Sequence, residues 1–502
     1  MELNISSMRV QDILKKQSFR RPRPLAFDSQ NKGGSPDYDT NMAHNPVTYD
    51  YPVQDDFIRE YYPQSHDINS VKYYPNLYFL DSQHKVQMKV RSRVSVALQQ
   101  YIHTRRLIAL TGYDPDITIS SSNSDRSSQQ YLKKFKEGWS VKGMDGAIHL
   151  AISADLKVGD VAICGYKASG EFGYRIFSYD RGDILYPHLD PMTGRVKVFG
   201  RKFKDDFVDG KGDTHHNIFF LDVWDDSHYI QFREAVDGEN TESGWVVSQP
   251  ATLHQYPFCP VAYHRYGMPC WSNSQSLIDM YELALSQLAE NNAQYAMRIL
   301  VTLGAEFEMQ GSTDGTPTQI NSTDPNAKAM FLEPADASGS FQLQLSTLYK
   351  DILRSSSVVE APELKSGSDI SSLTVKMLFA DAYQQALKDA KEYQSFLDDV
   401  VRLFIEGYGT EEMLIPEFKT LHVTATLHPY IFQSETEVVN TLVQLSSVGV
   451  LSKRTSTEIA YEQLGMGAVD EYDRVQQEGH DEIVGSPSTK VVNVVNQARN
   501  KE

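Results

Sequence analysis

The sequence predicts an α+β protein of several folding units, and three observations predict it. Short apolar–polar alternations bounded by Gly, Asp and Pro fill residues 161–235, the signature of antiparallel strands. Apolar residues at three- and four-residue spacing govern the blocks on either side, the signature of amphipathic helices. From Leu373 to Ile405 there is no Pro or Gly, so one very long helix is expected there. A chain of 502 residues has room for two to four such units.

The N-terminal segment, residues 1–70, reads as an arm. Arg9, Lys15, Lys16, Arg20, Arg21 and Arg23 make its start basic, but no apolar run is long enough for a signal sequence or a membrane span. The chain is therefore expected to be soluble and unsecreted. From about Ala26 to Val71 the sequence is rich in Pro, Asp and Asn without a period, and an extended conformation is expected. Tyr38, Tyr49, Tyr51, Tyr61 and Tyr62 either meet a neighbouring subunit or pin this arm to its own domain.

Residues 90–112 carry a helical pattern closed by Gly112, and residues 127–156 carry another. The runs VAICGYK, YRIFSYD, DILYPHL, RVKVFGRKF, NIFFLDVW and YIQFREA then form a meander of strands. Ser274 is placed to cap a helix with Leu277, Met280, Tyr281, Ala284 and Leu288 on one face, ending near Met297. Residues 298–345 read as a small α/β insertion with strands at ILVTLGAEF, MFLEP and FQLQL, and a second helix follows over about residues 346–357. Pro362 and Gly367 stop that helix, and Asp369 or Ser371 caps the next. A helix of about 37 residues spans roughly 55 Å, and an amphipathic rod of that length has to lie against other long helices.

Leu421, Val423, Ala425 and Leu427 alternate with His422, Thr424, Thr426 and His428, which predicts a late strand returning to the earlier sheet. The C-terminal part is helical. Ser434 and Glu437 form a capping box, Gly449 and Gly465 end successive helices, Ser452 or Thr455 starts the second, and a charged helix near residues 468–478 precedes a polar tail.

Taken in order, these parts resemble the portal proteins of tailed bacteriophages of the SPP1-like type, over roughly residues 71–478. The residues that carry the resemblance are YPFCPVAYHRYG before the first long helix, APELKSGSDISSLTVKML across the loop, and TLVQLSSVGVLSKRTSTEIAYEQLG near the C-terminus. The loop departs from the family in being poorer in Gly, with Lys365 and Asp369 instead, and the arm has no counterpart in it.

The resemblance implies a homo-oligomeric ring of twelve copies at one capsid vertex, with double-stranded DNA passing through its centre. Residues 71–270 would form the wing, 271–297 and 346–359 the two stem helices, and 298–345 the clip. Residues 360–372 would form a tunnel loop, 373–408 a long wing and tunnel helix, 409–433 the returning wing strand, 434–480 a crown and 481–502 a tail. The implied channel-lining residues are Glu360, Pro362, Glu363, Lys365, Ser366, Gly367, Ser368 and Asp369. The implied docking residues of the clip are Glu308, Gln310, Thr313, Asp314, Thr316, Asn321 and Asp324. The implied partners are further copies of the chain, the major capsid and scaffolding proteins, the large subunit of the terminase, and a head-completion or adaptor protein. No catalytic group, cofactor or metal is implied.

Composition agrees with such a reading. A net charge of −18 argues against a surface that grips phosphate, because non-specific nucleic-acid affinity comes from Lys and Arg. Cys164, Cys259 and Cys270 are odd in number and lack CxxC spacing, which argues against a disulfide framework or a zinc site.

Two other functions compete. Residues 439–464 look locally like a helix-turn-helix, yet residues 434–478 hold only Lys453, Arg454 and Arg474 against eight carboxylates, so the helix would be repelled by phosphate. The run DTHHNIFFLDVWDDSH offers Asp213, His215, His216, Asp222, Asp225, Asp226 and His228 as ligand types for a metal-dependent hydrolase. On a strand, however, His215 and His216 point to opposite faces, and Asp225 with Asp226 read as a hairpin turn. The GKGDT at Gly210–Thr214 lacks the Ser or Thr that a phosphate-binding loop needs after its Lys. Trp224, Trp245 and Trp271 read as local core or as subunit contacts.

Overall fold

The computed structural model describes residues 10–14, 53–80, 85–119, 126–210, 212–236, 244–295, 338–360, 377, 379–430 and 442–447, together with four strands between residues 299 and 332. The chain divides into two compact units: residues 1–362 with 381–430, and residues 363–380 with 431–502.

The expected extended arm is corrected over its second half. Helix α1 (Val10–Ile13) is followed by α2 (Val53–Tyr61) and by single 3-10 turns at Pro63–Ser65 and Asp67–Asn69. The reason is core burial: Phe57 is fully enclosed, and the Tyr61 ring packs 5.5 Å from His103 and 5.7 Å from Trp271. Of the two readings offered for the arm tyrosines, Tyr61 takes the second and pins the segment to its own domain.

A hairpin of β1 (Leu77–Leu80) and β2 (Val86–Lys89) precedes α3 (Leu98–Thr111). The helix thus begins at Leu98, later than the pattern over residues 90–112 predicts. The backbone of residues 94 and 96 is claimed elsewhere: Val94 N–H donates to Ser286 Oγ at 2.9 Å and Val96 N–H to Glu282 Oε1 at 2.9 Å. Tertiary partners for the amides override helical propensity.

Strand β3 (Asp116–Ile119) leads to α4 (Arg126–Val141) and α5 (Met144–Val158). Gly159 ends α5 at φ 85°, a left-handed cap that a side chain would strain.

The six anticipated strands are present as β4 (Val161–Ala168), β5 (Glu171–Phe177), β6 (Ile184–Leu189), β7 (Val196–Val208), β8 (Thr214–Trp224) and β9 (His228–Glu234). They do not form one meander. With β10 (Trp245–Leu253) and β11 (Val261–His264) they form two antiparallel sheets, ordered β11-β4-β5 and β10-β9-β8-β7-β6. Period-two alternation sets which face of a strand is buried, but not which strand lies beside it. Phe177, Phe199, Trp224, Cys259 and Val261 fill the space between the sheets. On the other face of the larger sheet, Val10 and Ile13 of α1 cover Val198, Leu221 and Val223. A Cβ at Gly200 would lie 2.9 Å from Ile13, so this approach needs glycine.

Helix α6 (Gln275–Tyr295) and α7 (Ser338–Ser355) bracket four strands: β12 (Ile299–Leu303), β13 (Glu308–Gly311), β14 (Pro317–Asn321) and β15 (Lys328–Leu332). The run FQLQL, expected as a strand, is the second turn of α7. Its helical face continues as Phe341, Leu345, Tyr349 and Ile352, while Leu343 stays 69% exposed. Alternation over five residues is too short to separate the two periods.

Two helices, α8 (Ala380–Glu392) and α9 (Gln394–Glu411), stand where one unbroken rod was expected, separated by Tyr393 alone. Residues 373–376 and 378 of the expected rod lie outside the described residues. Helix α9 carries Phe396, Leu397, Val400, Val401 and Phe404 into the main core, where the Phe404 ring lies 5.0 Å from Phe135, 5.1 Å from Trp139 and 5.5 Å from Phe172.

After α10 (Ile415–Leu421), the late strand β16 (Val423–Thr426) has the predicted buried and wet faces. It does not return to the sheets of residues 161–264 but pairs with β3, in register from Val423↔Ile119 to Thr426↔Asp116. In the second unit, residues 442–447 are helical, with Leu442 buried. The capping box at Ser434 and the helices after Gly449 lie outside the described residues. No helix among the described residues is long and apolar enough to cross a membrane.

Candidate functional site

The predicted helical pair is present, and its joint is specific. Ser274 stands immediately before α6, where a cap is expected, but its hydroxyl lies 2.8 Å from Ser355 Oγ and donates to Ile352 O at 3.2 Å. It ties the start of α6 to the end of α7. Further along, the Tyr281 and Tyr349 rings lie 6.2 Å apart, and an open groove of about 530 Å³ runs between the helices over Tyr281, Leu288, Phe341, Leu345 and Tyr349. The lining contains no Asp, Glu, Lys or Arg.

Of the residues expected to line a channel, Glu360 is described. It is exposed, and Tyr349 Oη donates to its Oε1 at 3.2 Å. Burial, and then the Glu360 charge, push the Tyr349 hydroxyl up to about 12. The bond ties Glu360 back to α7. Sequence reasoning missed Tyr349, although its spacing from Leu345 and Ile352 places it on the face turned to α6. Pro362, Glu363, Lys365, Ser366, Gly367, Ser368 and Asp369 lie outside the described residues.

The insertion between the helices is built from nested antiparallel strands. Strand β12 pairs with β15 from Ile299↔Leu332 to Leu303↔Lys328, and β13 pairs with β14. Glu308 and Gln310 fall on β13, opposite Asn321 and Gln319 of β14. The docking candidates Glu308, Gln310 and Asn321 therefore share one small hairpin. Thr313, Asp314, Thr316 and Asp324 lie outside the described residues.

The opposite flank of α6 holds a buried polar cluster. His66 Nδ1 lies 2.6 Å from Glu282 Oε1, and its Nε2 lies 2.7 Å from Glu60 O. Trp271 Nε1 donates to Glu60 Oε2 at 3.0 Å, which places this Trp in the core. Burial lowers the His66 pKa, but the Glu282 hydrogen bond and charge outweigh it and leave the imidazole above its ordinary value. Burial beside Glu60 and Glu282 pushes Asp279 up to about 7.

The residues proposed as metal ligands do not converge. Asp222 is buried on Arg201 at 3.1 Å and also accepts from Tyr229 and Gln231. His216 Nδ1 faces Asp206 at 2.9 Å, while His215 Nε2 lies 3.6 Å from Asp209. Asp225 accepts from Ser227 N–H within the β8–β9 turn, as its sequence position suggested. Among the described residues no group of three or more His, Cys, Asp or Glu is placed to hold a metal ion. Cys164, Cys259 and Cys270 are free and buried. Trp224 fills the space between the sheets, and Trp245 packs partly buried beside Val198, Leu221 and Val223.

Among curated proteins no match is found. One solved structure similar to this chain is titled the neck of an empty GTA particle computed with C6 symmetry. It has a TM-score of 0.38 and 10% identity, and covers 74% of this chain and 90% of the other. The family model described as phage portal protein, SPP1 Gp6-like, matches residues 54–462. That span contains the two sheets, the helical pair with its stranded insertion, and helices α8 to α10, and the family is structural, not catalytic. The chain belongs to the phage portal protein family.

Proposed function

We propose that copies of this chain close into a homo-oligomeric ring of twelve at one capsid vertex, through which double-stranded DNA is packaged and later ejected. The observation that carries this reading is the family match across residues 54–462. In the ring, residues 71–270 form the wing, α6 and α7 the stem, the strands between them the clip, and residues 434–480 the crown. The clip hairpin bearing Glu308, Gln310 and Asn321 is the docking platform for the terminase large subunit and then for the head-completion protein. The major capsid and scaffolding proteins surround the ring as it is built into the shell in the host cytoplasm.

Charge makes the channel slippery. Each chain contributes −18, against a duplex with one phosphate charge per about 1.7 Å, so the ring as a whole repels DNA. The segment from Glu360 to Ser372 mixes Ser, Gly and both signs of charge, with Lys365 offering a single intermittent phosphate contact per copy. Energy for DNA movement comes from a separate motor.

Negative-stain imaging of the purified full-length chain tests the ring: annular particles with a central channel are expected, and compact monomers at all concentrations would overturn it. Shortening residues 365–368 is expected to leave rings intact while impairing packaging or retention of DNA. Normal packaging by that variant would remove the loop from the mechanism.

A further inference from the structure

The β1–β2 hairpin is anchored at its base and bare along one face. Arg93 Nη2 donates to Tyr74 O at 3.0 Å and to Asn76 Oδ1 at 2.7 Å, and the Arg91 guanidinium lies 4.7 Å above the Tyr74 ring. Arg91 also reaches Glu290 of α6 at 3.8 Å, and Val94 N–H donates to Ser286. The ribbon is thus bolted to α6. Beyond that base Tyr78 stands directly opposite Met88, Val86 and Met88 alternate along the second strand, and Val90 follows just past its end. All four are more than half exposed. A two-stranded ribbon is marginal in water unless a face is covered, so an anchored ribbon with an uncovered apolar face is one half of an interface.

The other half lies on the same helix. Successive residues of a helix turn by about 100°, so Tyr281, Leu288 and Asn292 share one flank of α6, the one that forms the groove with α7. Glu282, Ser286 and Glu290, which hold the hairpin segment, centre roughly 140° away around the axis. One helix therefore carries a projecting apolar ribbon on one flank and an apolar groove on the nearly opposite flank. Two different patches on opposed flanks, one given and one received, are what a head-to-tail contact needs to close a ring. Both patches are also free of charge. In a chain of net −18, charge-free surfaces are where copies meet without mutual repulsion. A groove of about 530 Å³ lies in the size range that encloses a small ligand, and so accepts several apolar side chains.

We propose that, in the ring inferred above and resting on that reading, the Tyr78/Val86/Met88/Val90 face of each copy docks into the α6–α7 groove of the next copy. The occupant of the groove is a second copy of this chain, and the hairpin is its contacting segment.

The full-length V86D/M88D variant tests this. It places two carboxylates on a surface that is exposed in the monomer, so the melting midpoint of the monomer is expected to be unchanged while the ring peak in sedimentation is lost. Independently, a chain carrying both Met88→Cys and Asn292→Cys, treated with a short thiol-reactive crosslinker, is expected to give a ladder of covalent multimers. The native cysteines are buried and contribute no background. Wild-type-like rings from V86D/M88D, or rings of the double-cysteine chain without a ladder, would overturn the hairpin contact while leaving the ring standing. Absence of rings from the wild-type chain would overturn both. Should V86D/M88D fail to fold, the crosslinking ladder still decides.

Discussion

Tyr393 donates its hydroxyl to Asp155 Oδ2 at 2.6 Å, at the one residue that separates α8 from α9. Asp155 is fully buried, and it also meets His264 Nδ1 at 2.6 Å and accepts from Tyr266 N–H at 3.2 Å. The break in the rod is therefore pinned to α5 and to the segment after β11 by one carboxylate. Tyr393→Phe removes one donor from a buried acceptor and is expected to cost about 1–3 kcal/mol. Urea unfolding of the variant and wild type, monitored at one protein concentration, measures the difference, and an unchanged midpoint would mean that the break does not depend on this bond.

Helix α8 is fastened by a second buried pair. Arg106 Nη2 meets Asp389 Oδ2 at 2.5 Å, with little of either side chain exposed, and Gln385 donates to the other carboxylate oxygen. Removing one member of such a pair strands a charge, so Arg106→Leu is expected to cost about 3–5 kcal/mol. The R106L/D389L double variant should sit closer to wild type than R106L does. Chemical denaturation of all three distinguishes a stranded charge from simple loss of packing, for which the double variant would be the worst.

Stability should fall as pH rises through neutrality. His66 has its folded pKa raised, so its pairing with Glu282 contributes fully below about 6.5 and is lost as pH passes the raised value. Asp160 and Asp279 are pushed up to about 7 by burial. For an acid the sign is the same: folding opposes ionisation, so stability is lost as pH climbs from the unfolded value near 3.9 through about 7. The melting midpoint is expected to drop between about pH 6 and about pH 8, and Asp279→Asn should flatten the slope. A midpoint that rises over that range would contradict the assignment.

Gly407 lies in α9 against Phe172, where an added Cβ would sit 2.1 Å from the ring and 2.8 Å from Tyr256 Oη. Alanine gains about 1 kcal/mol in helix propensity, but Phe172 is buried and its ring has to shift. Overpacking costs about 1–3 kcal/mol, so Gly407→Ala is expected to be destabilising on balance. A higher melting midpoint for the variant would show that the ring yields freely.

Much of this molecule was legible before any coordinates. The six strand runs, the helical pair, the insertion between its arms and the faces of the late strand follow from residue periodicity, because a buried face imposes its repeat on the sequence. The β1–β2 hairpin was not anticipated: Val86, Met88 and Val90 alternate with Gln87 and Lys89, but the arginines and serines that follow hid that signal. FQLQL misled for the opposite reason, since five alternating residues fit either period until Tyr349 and Ile352 extend the helical one.

By itself the sequence determined the element types, the acidic character and, through its motifs, the membership of the portal family. Tertiary structure alone decided the pairings: that β16 joins β3, that the meander splits into two sheets, that Asp155 holds the break at Tyr393, and that α6 carries a ribbon and a groove on opposed flanks. Periodicity is a local record of which side of an element is buried. The identity of what buries it depends on residues 100 or more positions away in the chain, such as Asp155 and Tyr393, whose meeting no local pattern encodes.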